Sequence, residues 1–314
     1  MLYPAELRAP RPPPYSKKAT GPYRLDPRAR AAPARKRWFG SRGNARLFDL
    51  LARFAGVGAA AFLAAGLGAA LLAAAVLAAE ESADGLVWSE PVPVAEAIAG
   101  AELELDDGRR VRLAGLRVPS APAAGTAVVD DARALLGDLI QGAAVRLGTT
   151  AAPYDRYGRL VAQVERADGL WLQGALLERG LAQAWPRPGE AARAKEMLAI
   201  ERTARAARRG LWAKARFAPR PAERLDHAVG SFQIVQGRVR EVSPSGAFVY
   251  LNFGRDWWSD FTLRVARELE EAFARSDRAL PSLAGRRVEA RGFVVQAGGP
   301  LIELSHPEQI QLLP

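Results

Sequence analysis

A chain of 314 residues is long enough for two domains and a tail, since single cores usually stop growing well before that size. It has no cysteine and two histidines; His227 precedes Ala228 and His306 precedes Pro307, without ligand spacing. Disulfides, thiolate metal sites and cysteine nucleophiles are therefore excluded, and any metal chemistry falls to carboxylates. The net charge of +10 comes from one end: residues 1–53 hold 13 of the 44 basic residues and 3 of the 34 acidic ones, leaving 31 of each elsewhere. A charge-balanced folded portion thus carries a basic arm, and affinity for phosphate has to come from local sites.

Residues 1–53 are rich in Pro, Arg and Lys and lack apolar periodicity, which predicts a disordered basic tail on the cytoplasmic side. From Phe54 to Ala79 the chain runs 26 residues without a charge, more than the roughly 20 that a helix needs to cross a bilayer. Arg35, Lys36, Arg37, Arg42, Arg46 and Arg53 precede this run, and Glu80, Glu81 and Asp84 follow it. The pattern predicts a single-pass inner-membrane signal anchor over 54–79, with the N-terminus cytoplasmic and the folded domains outside the cytoplasm. The competing expectation is secretion after signal cleavage near Val76-Leu77-Ala78. Gly56, Ala60, Ala64 and Gly68 form a small-residue stripe, as composition alone produces where half the segment is alanine.

A linker is expected over 80–93. Glu102-Leu103-Glu104-Leu105 then alternates polar and apolar residues, turns at Asp107-Gly108 and resumes as Val111-Arg112-Leu113, a hairpin signal. Leu135, Leu136, Leu139 and Ile140 share a helical face, strands are expected near 145–147 and 160–164, and helical patterns recur over 172–179 and 190–209. Three strands, a helix, a further strand and a trailing helix fit a small barrel of the OB type over 94–215. After a linker at 216–230, the stretches 232–242, 248–253, 261–265, 287–295 and 301–304 read as strands, with a helix near 266–275 and a Gly298-Gly299 turn. This order predicts a second OB-like β-barrel over 231–314.

The segment Val111-Arg112-Leu113-Ala114-Gly115-Leu116-Arg117-Val118-Pro119-Ser120, the turn Tyr154-Asp155-Arg156-Tyr157-Gly158-Arg159 and the ending Arg208-Arg209-Gly210-Leu211-Trp212 resemble the staphylococcal-nuclease-like family. The resemblance covers roughly 94–214. It implies a five-stranded OB-like barrel and a Ca²⁺-dependent phosphodiesterase, in which two arginines clamp the scissile phosphate, carboxylates hold the ion and a glutamate activates water. Arg112 and Arg159 fall on both arginine positions. The first Ca²⁺-ligand aspartate falls on Ala101, the second on Arg117, the neighbouring threonine on Val118 and the glutamate base on Ser120.

No Ca²⁺ site is expected from such a set, because a hard cation takes six to eight oxygens, chiefly carboxylate. The expectation is a catalytically degenerate, membrane-tethered nuclease homologue. Arg112, Arg159 and Arg117 would bind nucleic acid or another phosphorylated ligand, with no catalytic residue, metal or cofactor assigned. Two alternatives stand beside it: a phosphodiesterase with a metal site rebuilt from Glu102, Asp106, Asp107 or Asp155, and an envelope scaffold protein. Arg112 and Arg159 can also serve as ion-paired scaffold, with Asp155 or Asp107 as partner. In the C-terminal unit, Phe248 and Tyr250 share strand parity, and neighbouring Trp257 and Trp258 cannot both enter one face of a strand. Tyr250, Trp257 and Trp258 are therefore candidates for base stacking.

Overall fold

The computed structural model describes residues 85–314, apart from 121, 122, 124, 226 and 257. The tail, the apolar run 54–79 and the first five residues of the expected linker, 80–84, thus lie outside the described residues, as does Trp257. Among the described residues no helix is long and apolar enough to cross a membrane.

The first unit is built on β1 (Val87–Trp88), β2 (Val92–Ala99), β3 (Glu102–Leu105), β4 (Arg110–Leu113), β5 (Leu116–Arg117), β6 (Ala144–Thr149), β7 (Leu160–Arg166) and β8 (Gln183–Ala184). Strands β2, β3, β4, β7 and β6 pair in that order, and β6 returns to β2, closing a five-stranded barrel with β4 and β7 parallel. Short β1 adds to β6, so part of the expected linker is sheet. Alternation in β3 puts Leu103 and Leu105 inside and leaves Glu102 and Glu104 on the outer surface. The same rule sends Val111 and Leu113 of β4 inward and Arg112 outward.

Helix α1 (Thr126–Ile140) packs against β2 and buries Val128, Ala132, Leu136 and Ile140, spaced by four, with Leu135 and Leu139 half-buried beside them. Each fully buried leucine contributes roughly 1.5–3 kcal/mol of hydrophobic stabilisation. Helices α2 (Leu172–Glu178) and α3 (Ala194–Ala206) pack on one another. The helical pattern expected from residue 190 begins only at Ala194, because Glu190 is held elsewhere by arginines.

The second unit holds β9 (Arg220–Pro221), β10 (Phe232–Arg238), β11 (Glu241–Ser245), β12 (Phe248–Asn252), β13 (Thr262–Ala266), α4 (Glu270–Ala274), β14 (Arg287–Ala297), β15 (Gly299–Leu304) and β16 (Ile310–Leu312). It is a curled sheet of order β11-β12-β13-β15-β14-β10-β9 with β16 on β14. What the sequence presents as one extended stretch, 232–242, is bent after Arg238: β10 pairs with β14 and β11 with β12, so consecutive segments border opposite ends of the sheet. Both units thus order their strands first-second-third-fifth-fourth, with third and fifth parallel and a helix between third and fourth. The stretch 216–230 is more than a linker, since β9 joins the sheet beside β10.

Strand β14 also joins the units. Arg291, 1% exposed, reaches Glu201 of α3 at 3.0 Å and the Ala184 carbonyl at 2.9 Å, and Glu289 accepts from Arg205 at 3.0 Å and from Gln236 at 2.7 Å. Ala204, Trp212, Phe232 and Ile234 form an apolar cluster from both units beside these pairs. Trp212, the tryptophan of the Arg-Arg-Gly-Leu-Trp motif, is thereby buried against the second unit.

Candidate functional site: an arginine-lined cleft on the first unit

The turn Tyr154 to Arg159 is built by its own residues. The Asp155 carboxylate accepts the backbone N–H groups of Tyr157 at 2.9 Å and Arg159 at 3.1 Å, and Gly158 takes φ of +74°, a left-handed conformation that glycine adopts without penalty. The turn delivers Arg159 to the outer surface beside Arg112, since β4 and β7 run parallel with Arg112 opposite Val161.

These side chains meet in a cleft of about 620 Å³. Arg112 donates in a two-pronged pair to Glu190, at 2.9 and 2.7 Å, and its Nε lies 3.4 Å from Asp155. Arg159 pairs with Asp155 at 2.8 Å and with Glu102. Arg187 holds Glu190 at 2.6 Å, and Gly115 adds its N–H to the same carboxylate at 3.1 Å. Gly115 has φ of +73°, and a Cβ there would stand 2.5 Å from Met197 and 2.7 Å from the Glu190 carbonyl.

Burial opposes ionisation of Glu190, but the hydrogen bonds and charge of Arg112, the charge of Arg187 and the Gly115 N–H outweigh it and hold its pKa below the ordinary glutamate value. Asp155 is likewise depressed: burial raises it, and the Arg159 hydrogen bonds and the Tyr157 N–H more than compensate. Arg112 is raised, with burial opposing and Glu190 and Asp155 prevailing.

Arg117 sits differently. Its strand β5 pairs with β8, its Nη1 donates to Gln183 at 2.8 Å, and its guanidinium lies over Phe232 and Phe293 of the second unit, 5.0 and 5.5 Å from the ring centroids. Burial lowers its pKa, yet an arginine stays protonated at neutral pH. Trp185, Phe232 and Phe293 form three edge-to-face contacts at 5.4 to 5.7 Å, so the second unit supplies the aromatic backing for this wall. Arg156 lies 4.9 Å over the Tyr157 ring, which is 67% exposed.

Residues 110–214 match the family model described as staphylococcal nuclease homologue. This segment is a staphylococcal-nuclease-type domain. No match was found among curated proteins. The match begins within β4, and strand pairing places β2 and β3, with Ala101 and Glu102, in the same closed barrel.

Of the sequence-predicted positions of this nuclease-homologue domain, Ala101, Arg112, Arg117, Val118 and Arg159 line one cleft. Ser120 is exposed and is not among the lining residues. The donor set does not fit the Ca²⁺ of the family: the ligand positions present a methyl, a guanidinium and an isopropyl group, and each cleft carboxylate already bonds at least one arginine. Among the described residues no group of three or more His, Asp or Glu side chains is placed to hold a metal. Asp106 and Asp107 lie exposed in the β3–β4 turn, outside the lining, where Asp107 binds Arg109 at 2.7 Å rather than either cleft arginine. Sequence reasoning missed Glu190, Arg187 and Trp185. They lie in a Pro- and Gly-containing stretch, Trp185 to Glu190, and Glu190 stands 78 residues from its partner Arg112.

Proposed function

We propose that the protein is a nuclease homologue that no longer hydrolyses phosphodiesters and retains binding of a phosphorylated ligand, nucleic acid foremost, on the outer side of the membrane that anchors it. The observation that carries this reading is the charge inventory of the cleft. Five arginines face three carboxylates, an excess of two positive charges, in a cleft where the metal-ligand positions hold Ala101, Arg117 and Val118, while Ser120 at the base position lies outside the lining. Hydrolysis needs a Lewis acid and a base to raise a nucleophile, whereas binding an anion needs only fixed cations.

Arg156 and Arg117 have no carboxylate partner among the described residues. An incoming phosphate meets them first, and reaches Arg112 and Arg159 by exchanging with Glu190, Asp155 or Glu102. The exposed Tyr157 ring beside Arg156 and Arg159 offers a flat surface next to those phosphate positions. Membrane attachment is supported by the uncharged run 54–79 with its flanking charges.

The test uses full-length protein with labelled single- and double-stranded DNA and RNA, in Ca²⁺ and in chelator. Binding without cleavage is the expected result in both. That binding should weaken with salt and weaken again in Arg156→Ala, whose salt slope should be shallower by about one unit for each phosphate no longer neutralised. Ca²⁺-dependent cleavage would overturn the degenerate assignment in favour of a rebuilt metal site. Absence of any binding would leave the envelope-scaffold role. Resistance of the chain to carbonate extraction from membranes is expected, and release as a shorter soluble species would replace the anchor with a cleaved signal.

A further inference from the structure

The second unit carries a groove of its own, about 550 Å³, between the outer face of β11, β12 and β13 and the loop that joins β12 to β13. Alternation in β12 sends Val249 and Leu251 into the core and turns Phe248, Tyr250 and Asn252 outward. Register places Tyr250 between Ser243 and Arg264, and Asn252 between Glu241 and Thr262, two polar rows across one face. Phe248 and Tyr250 meet edge to face at 6.2 Å, and the Arg264 guanidinium lies 4.5 Å over the Phe248 ring.

The loop that borders the groove is held open by its own hydrogen bonds. Asp256 accepts from the Ser259 hydroxyl at 2.7 Å and the Trp258 N–H at 3.1 Å, while Asp260 accepts the Asp256 N–H at 2.9 Å. This leaves Trp258 64% exposed at the groove, with its backbone against Gly298, where a Cβ would stand 2.6 Å from the Trp258 carbonyl. Arg240 and Arg255, both exposed, line the groove with no carboxylate partner among the described residues. The acid at the site, Glu241, is turned to the Ser243 hydroxyl at 2.8 Å.

We propose that this groove binds single-stranded nucleic acid, with unpaired bases stacked on Tyr250 and Trp258 and backbone phosphates against Arg240 and Arg255. The exposed Trp258 ring and the half-buried Tyr250 ring, beside guanidinium groups with no carboxylate partner among the described residues, suit a ligand that alternates flat rings with anions, and the volume suits one or two nucleotides. A duplex keeps its base faces in its own stack and cannot offer them. The inference rests on the nucleic-acid reading above for the kind of polymer, and locates its principal contact on the second unit rather than in the arginine cleft.

Fluorescence anisotropy of full-length protein would use labelled oligothymidylate of about 12 nucleotides, within the site sizes of single-strand binders, an abasic strand of equal length and charge, and a duplex of the same length. The expected result is binding of the oligothymidylate at least about tenfold tighter than of the other two, weakened about five- to hundredfold by Trp258→Ala or Tyr250→Ala, as loss of one stack predicts. Trp258→Phe should restore most of the affinity, and an unchanged melting temperature checks the fold of each variant. Equal binding of the abasic strand, or full affinity in both alanine variants, overturns the proposal. If that surviving affinity is lost in Arg156→Ala, the first cleft is the site and the reading above stands without this one. If the native chain binds no nucleic acid, both fall.

Discussion

Glu190 sets its own carboxylate among the arginines of the cleft. It is 10% exposed, accepts both prongs of Arg112 and also bonds Arg187 and Gly115, which is the way a guanidinium pair and a backbone N–H hold a phosphate. Replacing it by glutamine keeps the shape and removes the charge. The Glu190→Gln protein should lose about 1.5–3 kcal/mol of stability, the range for hydrogen bonds to charged groups. It should also bind oligonucleotide more tightly, with a salt slope steeper by about one unit for each further phosphate neutralised. Calorimetry and anisotropy read the two effects, and a folded variant with unchanged affinity would show that Arg112 is out of a ligand's reach. The depressed pKa values of Glu190 and Asp155 set the acid side of the stability curve. Groups more acidic in the folded chain than in the unfolded one stabilise it above the unfolded carboxylate values, about 4, and that contribution drains away as pH falls through the folded values. Melting temperature should therefore fall below about pH 4, and less steeply in Glu190→Gln.

At the scale of elements, the Asp-Arg-Tyr-Gly-Arg turn does two jobs with the same residues. Asp155 closes the turn through the Tyr157 and Arg159 N–H groups and also neutralises Arg159, so the motif is a folding device whatever chemistry accompanies it. Gly158 is needed for its backbone alone, because a Cβ there meets nothing within 4 Å. Gly158→Ala should cost about 1–2 kcal/mol, the penalty of a left-handed conformation, and Gly158→Asn less, since asparagine visits that region more readily. Thermal melts compare the two, and equal losses would point to a side-chain clash rather than to the backbone. Strand parity, too, was legible in the sequence: Phe248 and Tyr250 do share a face, and it is the outer one. The bend between β10 and β11 was not legible, because its cause is pairing with two different partners, β14 and β12, more than a local turn signal.

At the scale of the molecule, the two units are joined by buried charge. Arg291 and Glu201 are 1% and 0% exposed, 90 residues apart in sequence, and Glu201 also accepts the Ala184 N–H at 2.6 Å. Glu289 beside them is more acidic than an ordinary glutamate: burial opposes its charge, and Arg205 and Arg291 overcome it. Truncating one member strands the other without water, so Arg291→Ala should cost about 3–5 kcal/mol. Because Phe232 and Phe293 of the second unit back Arg117, the same substitution should loosen the cleft wall and raise the exposure of Trp185 to a fluorescence quencher. A melt close to that of the native chain would mean that the apolar cluster around Trp212 and Phe232 holds the units without the ion pair.

Features that depend on neighbours along the chain are readable from residue order. Alternation and helical spacing set which side chains enter each core, the Asp155 and Gly158 turn set how Arg159 is presented, and the residue types at 101, 117, 118 and 120 leave those positions without a carboxylate. What Arg112 and Arg159 touch depends on the complete fold. Hydrogen-bond partners such as Arg112 with Glu190 or Arg291 with Glu201 are brought together by the pairing of β8 with β5 and by the docking of β14. No local periodicity encodes a contact between segments that meet only when the fold is complete.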